Sequence, residues 1–276
     1  IAKVPPSGST RSLGNLFYKD LIGSLREVHR DSYLTLAVWG SAVFSMVGAY
    51  TQMNFLAYGE TILGLGREES TRLFFLTAIG VGALLAGRLS RRGIEFGLVP
   101  IATVLMAVSC FLLFGTDSST GVWEAGAYGF IMGVGAGLFL VPIESFIQYR
   151  SPSERVGGIV AASAWLSWLG ILGGAVLLYV NTSLLGLDPA EGFLALAVIL
   201  LGLTGIGIWV LPDFFARFFV FVMNRLFYKV RVTGQENLPA HGPALLVSNH
   251  TSLMDAVWII SLQPRRVRFL VSRKYL

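Results

Sequence analysis

The sequence predicts an all-α membrane bundle of six transmembrane helices, followed by the start of an α/β domain. Three observations carry that expectation: an apolar-rich composition, six long apolar stretches, and a change of pattern after Leu211. Of 276 residues, 54% are hydrophobic and only 13% charged, whereas soluble domains carry about 25% charged residues. A mean hydropathy of +0.67 means more apolar surface than one core can bury, so lipid must solvate much of the chain. The 32 glycines agree with this, because glycine is frequent in membrane helices and lets their backbones approach closely.

A helix needs about 20 apolar residues to cross a bilayer. Stretches near Tyr33–Ala57, Leu73–Leu89, Phe96–Phe114, Val122–Ile147, Ile159–Val180 and Phe193–Leu211 meet that need. They are too long for strands and lack strand alternation. Residues 33–211 are therefore read as a six-helix unit.

The loops set an orientation. Lys3, Arg11, Lys19, Arg26 and Arg30 precede the first span; Arg88, Arg91 and Arg92 follow the second; Arg150 and Arg155 follow the fourth. Arg217, Arg225, Lys229 and Arg231 follow the sixth. The third-to-fourth and fifth-to-sixth loops hold no Lys or Arg, and the first-to-second balances Arg67 and Arg72 with Glu60, Glu68 and Glu69. Positive charge alternates from side to side, which places both ends in the cytoplasm. The net charge of +5 is thus spent on orientation, and nucleic acid is not an expected partner. Cys110, the lone cysteine, lies in an apolar run, so no intrachain disulfide can form. The chain opens on Ile1 and stops inside an apolar segment at Leu276, the pattern expected of a piece cut at both ends.

Small residues mark packing faces. Gly129, Gly133 and Gly137 recur every fourth residue, as do Ala83 and Gly87, and this spacing lines up one side of a helix. They serve either close packing or a surface that slides during transport. Polar groups inside a bilayer are costly and become functional candidates. Three stand out: Gln52 and Asn54 in the first span, and Glu144 two residues after Pro142 in the fourth. Glu144 is open to two readings, a proton or headgroup site, or an interfacial carboxylate neutralised by Arg150 or water.

The segment Gly82-Ala-Leu-Leu-Ala-Gly-Arg-Leu-Ser-Arg-Arg-Gly93 resembles the short Gly-and-Arg loop of the major facilitator superfamily, although the usual acidic residue is absent at Gly87. Trp39-Gly-Ser-Ala-Val-Phe44, Gln52-Met-Asn-Phe55, Gly97-Leu-Val-Pro100 and Val141-Pro-Ile-Glu-Ser-Phe-Ile-Gln148 narrow the resemblance to its bacterial lysophospholipid transporter branch. The resemblance implies the C-terminal half of a major facilitator fold, with residues 1–32 as the cytoplasmic loop between halves. Gln52, Asn54 and Glu144 would then contact the transported substrate.

After Leu211, residues 213–229 carry Phe214, Phe215, Phe218, Phe219, Phe221 and Phe227 around Arg217, Asn224 and Arg225. So short an aromatic and basic segment suits an amphipathic helix lying in the membrane interface. A linker or a tail of the sixth span is the alternative. Next, Gly242-Pro243 turns into a short apolar strand at Ala244–Ser248, which delivers Asn249-His250 to a loop, and Ser252 opens a helix.

His250 and Asp255 form an H-x-x-x-x-D pattern inside N-H-x-S-x-x-D, with a G-x-E-N-L-P lead-in at Gly234–Pro239. This resembles the first motif of the PlsC-type glycerolipid acyltransferases over residues 230–276. A glycerol hydroxyl is a poor nucleophile until a base takes its proton, and histidine suits that task near neutral pH. A carboxylate on the other ring nitrogen fixes the tautomer and stabilises the cation. Ser252 and Asp255 equally match a capping box, in which the carboxylate only satisfies backbone donors at a helix start.

Together the two resemblances imply a protein of the bacterial inner membrane that imports and reacylates lysophospholipid. Acyl-carrier-protein or coenzyme A thioester is the implied co-substrate, acyl carrier protein an implied partner, and no bound cofactor or metal is expected. Arg265, Arg266, Arg268, Arg273 and Lys274 face either anionic lipid or an acidic carrier, or form a solvated basic surface. The later acyltransferase motifs would lie beyond Leu276, so residues 1–276 alone are not expected to be catalytically competent.

The orientation is testable. Cysteines introduced at Ser118 and Asp188 are expected to react with an impermeant reagent added outside the cell. Labelling only from the cytoplasmic side would invert the topology.

Overall fold

The computed structural model describes residues 17–75, 79–90, 97–117, 119–210, 212–228, 233–234, 237–239, 243–249, 252, 254–262 and 267–270. Among them the regular structure is helical. In chain order the helices are α1 (Phe17–His29), α2 (Ser32–Thr61), α3 (Arg67–Phe75), α4 (Ile79–Leu89), α5 (Leu98–Phe114) and α6 (Val122–Arg150). Then come α7 (Val156–Tyr179), running into a π-helical turn at Val180–Leu184, α8 (Pro189–Val210), α9 (Pro212–Phe227) and α10 (Met254–Leu262).

Four of the described helices are long and apolar enough to cross a membrane: α2, α6, α7 with its π turn, and α8, of 30, 29, 29 and 22 residues. At about 1.5 Å per residue even α8 spans a hydrocarbon core of about 30 Å. The other two expected spans correspond to shorter apolar helices, α4 with 11 residues and α5 with 17. Residues 76–78 and 91–96, which adjoin them, lie outside the described set. The strand expected at Ala244–Ser248 does not form: residues 243–249 have no regular structure. A lone extended segment lacks the ladder that makes a strand, and no second strand occurs among the described residues.

Local signals account for the helix ends. The Asp31 Oδ1 accepts the Tyr33 and Leu34 N–H groups at 3.0 and 3.2 Å, a side-chain N-cap that starts α2. Beyond Thr61, Gly64 takes a φ of +64°, a left-handed turn that only glycine adopts without strain. At the start of α8, Asp188 and Glu191 satisfy each other's backbone N–H at 2.8 and 2.9 Å, the reciprocal arrangement of a capping box.

Helix pairs meet through glycine. A side chain at Gly82 of α4 would strike the Val134 carbonyl of α6, and one at Gly137 would strike the Ile79 carbonyl and the Ala83 nitrogen. Across the bundle, Gly170 of α7 sits against the Ala42 carbonyl of α2. Gly129, Gly133 and Gly137 are all buried, as their spacing predicts. The α4 face differs from the expected Ala83–Gly87 pair. Gly82 and Ala86 are buried, whereas Gly87 is exposed with nothing within 4 Å of where its Cβ would stand.

The core divides along the bundle. Near the α2 C-terminus Phe55, Tyr58 and Phe193 form an edge-to-face trio with centroids 5.5–5.8 Å apart, the geometry favoured by ring quadrupoles. Near the α2 N-terminus Val28, Leu34, Val38, Ile143, Ile147 and Ile159 pack together, so α1 is held on the bundle through Val28. The outer surface is strongly apolar. Trp123 at the start of α6 and Trp209 at the end of α8 are 84% and 83% exposed, where interfacial tryptophans belong.

Gly82→Ala is expected to destabilise, because its Cβ has no room beside the Val134 carbonyl. Overpacking typically costs about 1–3 kcal/mol. Gly87→Ala, with open space around it, should stay within about 0.5 kcal/mol of the parent. Thermal unfolding in detergent separates them, and equal midpoints would refute the α4–α6 contact.

Candidate functional site

Glu144 and its surroundings form a polar island in the apolar bundle. Pro142 and Ile143 are buried and Glu144 is half-buried, on the wall of a cavity of about 410 Å³ between α2, α6 and α7. The Ser41 Oγ donates to Glu144 Oε1 at 2.6 Å and lies 3.3 Å from the Ser167 Oγ. Ser45 and Ser163 also line this cavity, with Trp168 and Phe44. A hydroxyl donating to a carboxylate is a short, charge-assisted bond, so α2 and α6 are joined through a group able to exchange partners.

The neutralising partner expected for Glu144 is engaged elsewhere. Arg150 Nε donates to Asp31 Oδ2 at 2.6 Å, tying the end of α6 to the start of α2. Glu27 of α1 adds ion pairs to Arg30 at 3.1 Å and to Arg155 at 3.6 Å. Partial burial pushes the Asp31 carboxyl upward. The Arg150 bond and charge, together with the Leu34 and Tyr33 N–H groups, outweigh it and hold the value below the ordinary carboxylate range. A lowered pKa in the folded state contributes stability that is present above the unfolded value. It is lost as pH falls through the lowered one.

Gln52 and Asn54 are not brought to Glu144. Gln52 is exposed. Asn54 is 1% exposed, and its Nδ2 donates to the Pro189 carbonyl at 2.8 Å. Beside it the Tyr50 hydroxyl donates to the Gly192 carbonyl at 3.0 Å and accepts from Asn181 Nδ2 at 2.9 Å. This network fastens the head of α8 and the π turn to α2, a fastening role for Asn54 that its position in an apolar run did not reveal. The serines around Glu144 were also missed. Their signal was present: Ser41 and Ser45, and Ser163 and Ser167, each recur at a four-residue spacing on apolar helices.

Beyond the bundle, α9 packs back through Val222 onto Ala86, Leu98, Ala102 and Leu138. Its end stays open, with Phe227 72% exposed. Tyr228 meets Trp258 of α10 edge-to-face with centroids 6.0 Å apart, so the segment after α9 is anchored to it. At the start of α10, Asp255 Oδ2 accepts the Ser252 N–H at 2.9 Å and Ser252 Oγ accepts the Met254 N–H at 3.2 Å. The capping geometry is therefore realised. It does not exhaust a carboxylate, which offers about four acceptor positions. His250 lies outside the described residues.

The Acyltransferase family model matches residues 229–276. This acyltransferase portion contains both His250 and the Ser252–Asp255 cap. Following four helices of membrane-spanning length, it is consistent with a membrane acyltransferase. No curated protein and no solved structure matches the chain.

Proposed function

We propose that the protein is a membrane-embedded glycerolipid acyltransferase that reacylates lysophospholipid, with the helical unit translocating that acceptor. The observation that carries the reading is the family match over residues 229–276, because it encloses the N-H-x-S-x-x-D segment from Asn249 to Asp255. In this reading His250 takes the proton of a glycerol hydroxyl as its oxygen attacks the thioester carbonyl. The carbon–sulfur bond then breaks, the acyl group passes to oxygen, and the thiol leaves with the proton. Asp255 orients and stabilises the imidazolium while also capping α10. The donor is an acyl-carrier-protein or coenzyme A thioester.

The transporter part of the proposal rests on the major facilitator resemblance and on the Glu144 cavity. Residues 33–211 act as the six-span C-terminal half, with both ends in the cytoplasm of a bacterial inner membrane, and α9 lies at the interface. A second reading is an acyltransferase whose helices only anchor it, favoured by a family match confined to the C-terminal portion.

In the intact protein, His250→Ala is expected to lower acyl transfer about 10²–10⁴-fold while the helical unit keeps its melting temperature. Asp255→Asn discriminates further, since asparagine serves well at helix starts but cannot stabilise an imidazolium as a carboxylate does. A stable Asp255→Asn protein with little turnover supports the dyad, and near-normal turnover reduces Asp255 to a cap.

Glu144→Gln is expected to slow movement of labelled lysophospholipid across proteoliposomes while acyl transfer in detergent is unchanged. Reacylation without any movement in the parent protein would favour the anchor.

A further inference from the structure

A second cavity lies on the other side of α6 from Glu144. Glu144 lines the serine-rich cavity, and its neighbour Ile143 lines an open groove of about 220 Å³ between α2, α5, α6 and α8. Phe215 of α9 reaches its wall. The groove is apolar except for Thr103, Thr204 and the polar tips of the exposed Tyr33 and Trp39. The threonine hydroxyls are already used: they lie 2.6 Å apart and bond the Pro100 and Leu200 carbonyls at 2.9 and 2.8 Å. Its remaining walls suit a hydrocarbon chain well.

One end of the groove lies next to an ion pair. Tyr33 and Phe146 line the groove. Arg150 is one helical turn beyond Phe146 on the same face and is bonded to Asp31, two residues before Tyr33. Its side chain is 50% exposed, and Asp31 takes only Nε. A guanidinium has five N–H donors, so its outer edge suits a phosphate fork-on-fork.

We propose that this groove holds the single fatty acyl chain of a lysophospholipid, with its phosphate on Arg150. Resting on the lipid-acceptor reading above, this assigns a chain-binding site beside α9, the helix that leads into the acyltransferase portion. The occupant is one chain with one phosphate. An apolar slot whose threonine hydroxyls are satisfied, with a half-exposed arginine one helical turn beyond its Phe146 wall, has the form of that amphiphile. With Phe215 of α9 on its wall, a bound acceptor stays beside the helix that leads into the acyltransferase portion.

Photolabelling tests the assignment. The intact protein in nanodiscs is irradiated with a lysophospholipid bearing a diazirine near its chain end, and the labelled peptides are mapped. Label is expected on the groove-lining stretches of α2, α6 and α8. Gly207 lines the groove with open space where its Cβ would stand, so Gly207→Phe should fill the slot and cut that label about tenfold or more, a loss of one decade in affinity. Gly205, exposed, outside the groove and equally uncrowded, is the control: Gly205→Phe should label like the parent. Arg150→Gln should weaken labelling by the lysophospholipid but not by an alkyl glucoside of the same chain. Label spread evenly over the lipid-facing surface, or undiminished in Gly207→Phe, overturns the groove. Turnover measured in the same preparation keeps the readings apart. A protein that acylates but labels elsewhere sinks the groove assignment, and one that labels the groove without acylating sinks the enzymatic reading.

Discussion

The bundle depends on how closely helix backbones can approach where no side chain stands between them. In a lipid solvent apolar side chains gain little by leaving lipid for protein, so association relies on close van der Waals contact and hydrogen bonding. Gly82 and Gly137 bring α4 onto α6, and Gly170 brings α7 onto α2. The second approach places Ser167 of α7 next to Ser41 of α2, and Ser41 in turn reaches Glu144 of α6. The glycine contact between α7 and α2 thus supports the cavity that the serines and the carboxylate share.

Polar devices then fix the two ends of the helices. At one end Asp31, Arg150, Glu27 and Arg155 join α1, α2, α6 and α7 through ion pairs. These are partly exposed, hence screened and modest in strength. At the other, Tyr50, Asn54 and Asn181 bond carbonyls and one another out of water, where an unmade bond is expensive. The first kind yields easily to salt or a competing anion, and the second resists opening. The cavity and the groove both lie toward the yielding end.

Much of this order was legible in the sequence, for identifiable reasons. Long apolar runs announce α2, α6, α7 and α8, because crossing lipid demands length and hydrophobicity and little else. The spacing of Gly129, Gly133 and Gly137 announces a packing face. What stayed hidden depends on partners distant in sequence. The Arg150 partner is 119 residues away at Asp31 and not six away at Glu144. Asn54 stands out in the sequence only as a polar residue in an apolar run, and its bond to the Pro189 carbonyl at the start of α8 joins residues 135 apart. At the acyltransferase portion the S-x-x-D spacing correctly implied a cap, because capping needs only four consecutive residues.

The π turn at the end of α7 carries a consequence of its own. The Leu185 N–H reaches back five residues to the Val180 carbonyl at 3.0 Å, so the backbone here accommodates one residue more than an α-helical turn would. Asn181 stands inside that extra turn and meets Tyr50 across the bundle. Deleting Val180 would let the backbone relax into regular α-helix, yet it would also draw Asn181 back by one position, about 100° around α7. The asparagine would then turn away from Tyr50. The residue count ahead of Asn181 is therefore fixed by a bond to another helix.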